Sequence, residues 1–217
     1  MNETGIEKKS IEKESARSRV AVLGLLADLH REPTQYDLRL LYRLVKSIQP
    51  DLLCAEIHPD DWRSGDLSAV WPEYRDTILP LARRTDIIIV PVGGSTGHEY
   101  QIPGDSQFKQ LRRLVIRLIN SLQRLLMQLA QRPDDVNGGA LDTLCDGMCA
   151  AALGVSGPQA RQAWDEANQA ILNNILAAAH RDPERRVLVT VDCRRRRWLM
   201  KHLHDQSGVE LFPYYFL

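Results

Sequence analysis

Four apolar runs without polar alternation punctuate the chain, at residues 20–27, 52–57, 86–92 and 185–191. Runs of this length and continuity predict strands buried on both faces, as in a parallel sheet, rather than half-exposed strands, which alternate. Between the first two, Leu38, Leu41, Leu44, Val45 and Ile48 recur at intervals of three and four, the stripe of an amphipathic helix. Thr34 is placed to cap this helix and Pro50-Asp51 to end it. The strand–helix–strand unit predicts a right-handed parallel crossover. A loop is expected from His58 to about Asp66, then a helix over about residues 69–83 that Pro72 and Pro80 interrupt. The middle of the chain reads as helical: a long amphipathic helix at 106–131 with leucines and arginines, a shorter one at 141–153, and a third at 159–180. A last helix at 194–204 and an edge strand at 209–212 close the pattern. The expectation is one α/β domain over residues 19–217, with a mainly parallel central sheet flanked by helices. A helical insertion at about 105–157 covers the site as a lid or forms a homodimer surface. Residues 1–18, rich in Glu, Lys and Ser, read as a disordered tail.

Composition narrows the partners. The 217 residues carry 28 basic and 28 acidic side chains, so no dominating basic field exists and nucleic acid is not an expected partner. No uncharged run reaches the ~18 residues of a membrane span, and the long basic helix, with charges of both signs nearby, reads as packed rather than membrane-bound. Cys54, Cys145, Cys149 and Cys193 lack a paired CxxC framework. They read as small buried hydrophobes in a cytoplasmic protein.

The candidate chemistry lies at the carboxyl ends of the strands, where open α/β sheets bind their ligands. Asp28 and His30 end the first run, two residues apart as on one face of a strand, and are expected to converge. Glu56 and His58 end the second. Glu56, near the end of an apolar strand, needs a partner: either one of the arginines 194 to 197 or a role as general base or metal ligand beside His30. Gly93, Gly94 and His98 follow the third strand; the glycines can cradle an anion with backbone donors, but no Lys-Ser/Thr follows as in a phosphate-binding loop, so a plain turn is the favoured reading. Cys193 lacks a dedicated base and reads as an inert thiol. Arg194 to Arg197 open the last helix, where cations oppose the helix dipole; at least one, with Arg194 best placed, is expected to hold a carboxylate or an anionic ligand.

Asp28-Leu-His30 is similar to the opening of calcineurin-like phosphoesterases, but no Gly-Asn-His element follows. A broader resemblance rests on the strand ending in His30, on Pro50-Asp-Leu-Leu-Cys-Ala-Glu56, on residues 74–92 with their Leu-Pro-Leu-Ala, and on residues 167–176 before the late strand. In order and spacing these resemble the superfamily of TraB/PrgY, the Tiki proteases, the ChaN haem-binding proteins and the erythromycin esterases. The family carries Gly-x-x-His at the first and late strand ends; here the first reads Ala27-Asp-Leu-His30, and Arg194 stands where the second histidine would be. The resemblance implies that His30 and Glu56 match the family's functional His and Glu.

Two functions follow as expectations. In the first, the protein is an ester or peptide hydrolase, with His30, Glu56 and Arg194 catalytic and Asp28, His30 and Glu56 able to hold Mn²⁺, Co²⁺ or Zn²⁺. In the second, it is a non-catalytic relative binding a small molecule, or haem, in the same crevice, with His58, Gly93, Gly94, His98 and Arg195 contributing. His30→Ala and Glu56→Ala are expected to leave the fold intact while removing activity or metal binding.

Overall fold

A computed structural model describes residues 17–32, 34–94 and 107–217. The predicted tail up to residue 16, and His98, lie outside the described residues. Among these residues five strands form one all-parallel sheet: β1 (Ser18–Leu25), β2 (Leu52–Ala55), β3 (Ile88–Pro91), β4 (Arg186–Asp192) and β5 (Val209–Leu211), in the spatial order β3-β2-β4-β1-β5. The helices are α1 (Leu38–Ile48), α2 (Pro59–Ser64), α3 (Leu79–Ala82), α4 (Gln107–Met127), α5 (Pro133–Val136), α6 (Ala140–Ser156), α7 (Pro158–Arg181) and α8 (Cys193–His204).

The two-residue period of each strand sends its side chains into two cores. Ala21, Leu23, Leu25, Leu53, Ala55 and Leu188 face one core, which α1 fills with Leu41, Val45 and Ile48. Tyr74, Ile78, Met127, Val136 and Cys145 join them there. Val20, Val22, Leu52, Cys54, Val187, Val189 and Val191 face the other, covered by Ile171, Leu172 and Ile175 of α7 and Leu199 and Leu203 of α8. This two-sided burial is why the strands are apolar throughout. The chain steps from β1 through β2 to β3 toward one edge, then from β4 to β5 toward the other. The connections leaving β2 and β4, neighbours in the sheet, therefore diverge. A crevice opens beyond their carboxyl ends, as expected at such a topological switch point.

Several local expectations change. β1 starts at Ser18 and ends at Leu25; residues 27–31 form a 3-10 turn, entered through Ala27 at φ 55°. Asp37, not Thr34, caps α1 by accepting from the Leu40 amide at 2.9 Å, while the Thr34 hydroxyl donates to the Tyr36 carbonyl. The expected loop after His58 holds a helical turn, α2, because His58 Nδ1 accepts from the Asp60 amide at its start, Pro59 suits the first helical position, and Gly65 ends it at φ 75°. Pro72 precedes a π-helical turn (Glu73–Ile78) that runs directly into α3. Pro80 falls in the first turn of α3, where its missing donor costs little. β3 is shorter than expected, four residues ending in Pro91 at the sheet edge.

Candidate functional site

The crevice between β2 and β4 has a volume of about 560 Å³ and is lined by Asp28, Glu56, His58, Asp61, Trp71, Gly93, Gly94, Asp192, Arg194 and Arg195, among others. Its floor is a linked set of polar groups. Glu56 Oε1 meets Arg195 Nε at 2.7 Å, and its Oε2 accepts from the Asp192 amide at 2.8 Å. The Glu56 amide reaches the Tyr74 hydroxyl at 2.9 Å, and that hydroxyl donates to the Thr190 carbonyl at 2.7 Å. A buried phenol thus bridges β2 and β4 just where the two strands part. Burial and the nearby Glu56 carboxylate push the Tyr74 phenol far above its ordinary range, so it stays a neutral donor.

The four consecutive arginines divide among three carboxylates. Asp192 caps α8 by accepting from the Arg194 amide at 2.9 Å, and its two oxygens also take the Arg194 guanidinium. Burial opposes ionisation of Asp192, but the charge and hydrogen bonds of Arg194 outweigh it and hold the carboxyl below the usual range. Arg195, nearly buried, is shared by Glu56 and Asn168, and its guanidinium lies 4.4 Å from the Trp164 ring centre. Arg196 and Arg197 each reach the buried Asp142 Oδ2 at 3.0 Å. Helix phase explains the division: successive residues on α8 point about 100° apart, so Arg194 and Arg195 meet different carboxylates, while Arg196 and Arg197 straddle Asp142.

His30 does not belong to this site. The 3-10 turn after β1 replaces the strand geometry that would have aligned Asp28 with His30. It leaves Asp28 exposed beside Arg31, at 3.2 Å, and turns the His30 ring into the core. There Nδ1 meets Glu73 Oε1 at 2.6 Å and Nε2 meets the Tyr36 carbonyl at 2.7 Å. A carbonyl can only accept, so Nε2 carries a proton, and the second proton of the pair lies between Nδ1 and Glu73. Both ring nitrogens are engaged and neither is available to a substrate or a metal. Asp28, His30 and Glu56 therefore do not form the expected ligand set, and no three His, Cys, Asp or Glu side chains among the described residues stand together as a metal site.

The remaining candidates are placed as follows. His58 lines the crevice, with Nδ1 accepting from the Asp60 amide at 3.2 Å, which leaves the proton of its neutral ring on Nε2. Gly93 and Gly94 also line it, but as points of close packing. A Cβ on Gly93 would lie 2.7 Å from the Ile57 carbonyl, and one on Gly94 2.6 Å from the Ala167 oxygen. The Gly93 amide donates to Ile57, so it is not part of an anion cradle. The Cys193 thiol lies 2.9 Å from that of Cys145. That contact, burial and the Asp192 carboxylate push the Cys193 thiol well up, in keeping with an inert group. Sequence reasoning missed Glu73. The signal available was a carboxylate on the apolar stripe Val70, Tyr74, Thr77, Ile78 and Leu81, which has to find a partner in the core.

No family model matches the chain, nor does any curated protein or solved structure.

Proposed function

We propose that the crevice at the ends of β2 and β4 binds a small molecule carrying a protonated amine, and that the protein is a binding relative of the superfamily it resembles rather than a metal-dependent hydrolase. The supporting observation is the charge of the described lining. Asp28, Glu56, Asp61 and Asp192 contribute four carboxylates against the guanidiniums of Arg194 and Arg195, which Asp192 and Glu56 already engage. The arginines thus form a rigid floor rather than a receptor for an anion. The carboxylates not engaged by these arginines are Asp61 and Asp28, which pairs with the exposed Arg31; both line the crevice together with Trp71, and carboxylates with an aromatic side chain suit a cation. The volume fits a small-molecule site.

The test is calorimetric titration with paired ligands of equal size, small primary amines against the matching carboxylates and phosphates. Amines are expected to bind, and Asp61→Asn and Trp71→Ala to weaken them about tenfold each. Tighter binding of the anions overturns the reading.

A hydrolytic reading has one observation in its favour besides the resemblance: Glu56 and His58 line the same crevice. With its proton on Nε2, the neutral His58 ring would donate a hydrogen bond to the negative charge that develops on a substrate oxygen. In that case a panel of esters and peptides gives turnover that falls about 100-fold or more in His58→Ala. Wild-type rates no faster than buffer remove it.

A further inference from the structure

The crevice leaves one large feature of the molecule unexplained. On α4 and the turn after it, Leu111, Leu114, Leu118, Leu122, Leu125 and Leu129 are all exposed, by 51% to 69%. Their intervals of three and four residues place them in one stripe along the helix, which at 1.5 Å per residue runs about 21 Å from Leu111 to Leu125 before the turn that carries Leu129. The opposite side of α4 is the one that packs: Ile116, Gln123 and Met127 are buried, with Gln123 reaching Cys145 of α6. The leucines therefore form a ridge pointing away from the body of the protein. An apolar patch of this extent marks an interaction site.

The charge along the same helix says which kind. Residues 107–132 contain Lys109, Arg112, Arg113, Arg117, Arg124 and Arg132 and no acidic residue, in a chain whose charges balance as a whole. Arg113, Arg117 and Arg124 fall in a row on one flank of the leucine stripe when 100° is allowed per residue. Arg124 approaches Glu32 at 3.8 Å, while Arg112, Arg113 and Arg117 are exposed and form no ion pair with a described residue.

We propose that this face docks the protein on an anionic lipid surface, with the leucines entering the headgroup boundary and the arginines pairing with lipid phosphates and carboxylates. A second copy of the chain is a poor occupant. Two such helices side by side would bring their cationic rows together with no acidic residue on either to relieve them. A ridge also needs a groove in a protein partner, whereas a bilayer takes up a ridge without one. A leucine face beside arginines, whose aliphatic stems lie along the apolar boundary while their heads stay wet, is the composition of a helix lying in a membrane interface. Among the described residues no helix is long and apolar enough to cross a membrane, so the contact is peripheral.

The experiment is flotation of the full-length protein with vesicles of phosphatidylcholine alone or mixed equally with phosphatidylserine. Binding is expected to the mixed vesicles and to fall steeply with added salt. Arg113→Gln with Arg117→Gln is expected to weaken it about 25-fold, about fivefold for each charge. Leu118→Ser with Leu122→Ser should weaken it at least tenfold, near the value for lost apolar insertion. All four side chains contribute little to the core, and an unchanged melting temperature confirms that the variants are folded. Absence of wild-type flotation with the mixed vesicles, or flotation of the leucine variant equal to wild type, overturns the proposal. So does light scattering that finds a wild-type dimer and a monomeric leucine variant, because a second copy then covers the face.

Discussion

His30 and Glu73 meet at 2.6 Å inside the core on one face of the sheet, whereas Glu56 and Arg195 meet at 2.7 Å on the wall of an open crevice. Chemically the two pairs are alike, a carboxylate held by a nitrogen cation or donor at single hydrogen-bond distance. They differ in what surrounds them. His30 and Glu73 are closed off by Tyr36, Tyr74 and α1; His30 Nε2 goes to the Tyr36 carbonyl, and Glu73 Oε2 is buried with no hydrogen-bond partner among the described residues. Glu56 and Arg195 are joined to the strand ends through the Asp192 amide and to α7 through Asn168, with one side left to the crevice. The comparison teaches that a histidine and a carboxylate near strand ends do not define one site. The turn that follows the strand decides which of them faces the crevice.

The largest expected effect tests the closed pair. Glu73→Ala leaves His30 buried without its partner and is expected to cost about 3–5 kcal/mol in urea unfolding. Replacing both partners, His30→Phe with Glu73→Leu, should recover most of that loss, because neither member of the pair is then left buried without the other. The expectation that His30→Ala leaves the fold intact is reversed by the same argument. If Glu73→Ala is as stable as wild type, the pair is not structural and the contrast collapses.

Arg195→Met should cost less, about 2 kcal/mol, since water in the crevice can solvate the exposed edge of Glu56. A loss equal to that of Glu73→Ala would mean that the two pairs are equally closed. Asp192 supplies a pH signature on the crevice side. Its carboxyl ionises below the usual range in the folded chain, while the unfolded chain titrates at about 3.9. The stability it contributes is therefore complete above that value and is lost as the pH falls through the lower folded one. Unfolding curves of wild type and Asp192→Asn should accordingly converge in acid and separate toward neutral pH. Curves that stay parallel would remove Arg194 as the cause.

Tyr74→Phe is expected to lose about 1 kcal/mol, the net worth of one hydrogen bond, since the Glu56 amide also reaches the Thr190 carbonyl at 3.2 Å. The smallest effect belongs to Asp28→Asn, which touches one exposed ion pair and should move stability by no more than about 0.5 kcal/mol. On the amine-binding reading the same change weakens the ligand, so stability and binding come apart at this residue.

The strands were legible because two-sided burial leaves an unbroken apolar signature, as in Leu52–Ala55 and Val187–Val191. The edge β5 was legible from its alternation, with Val209 and Leu211 flanking the exposed Glu210. Glu56 with an arginine was legible too, from the cost of a lone carboxylate in an apolar strand, but the choice of Arg195 over Arg194 was not. It depends on the phase with which α8 leaves β4, and that phase is set by Asp192 capping the helix. The position of His30 was hidden for a related reason. The turn at Ala27 takes a positive φ that nothing in an Ala-Asp-Leu-His sequence announces. The leucine face of α4 was visible as an amphipathic pattern, but sequence periodicity alone leaves open which of its two apolar flanks meets the core.

Pro91 ends the strand at the edge of the sheet. The amides of Ile88 and Val92 donate inward, to Asp51 and Ala55 of the β2 side, so the alternate residues Ile89 and Pro91 face outward. Pro91 has no amide hydrogen, so within β3 the open edge offers a single donor, that of Ile89. Another chain seeking to add a strand there finds almost no ladder to extend. The sheet stops growing at this side, which protects a protein at high local concentration from edge-to-edge aggregation.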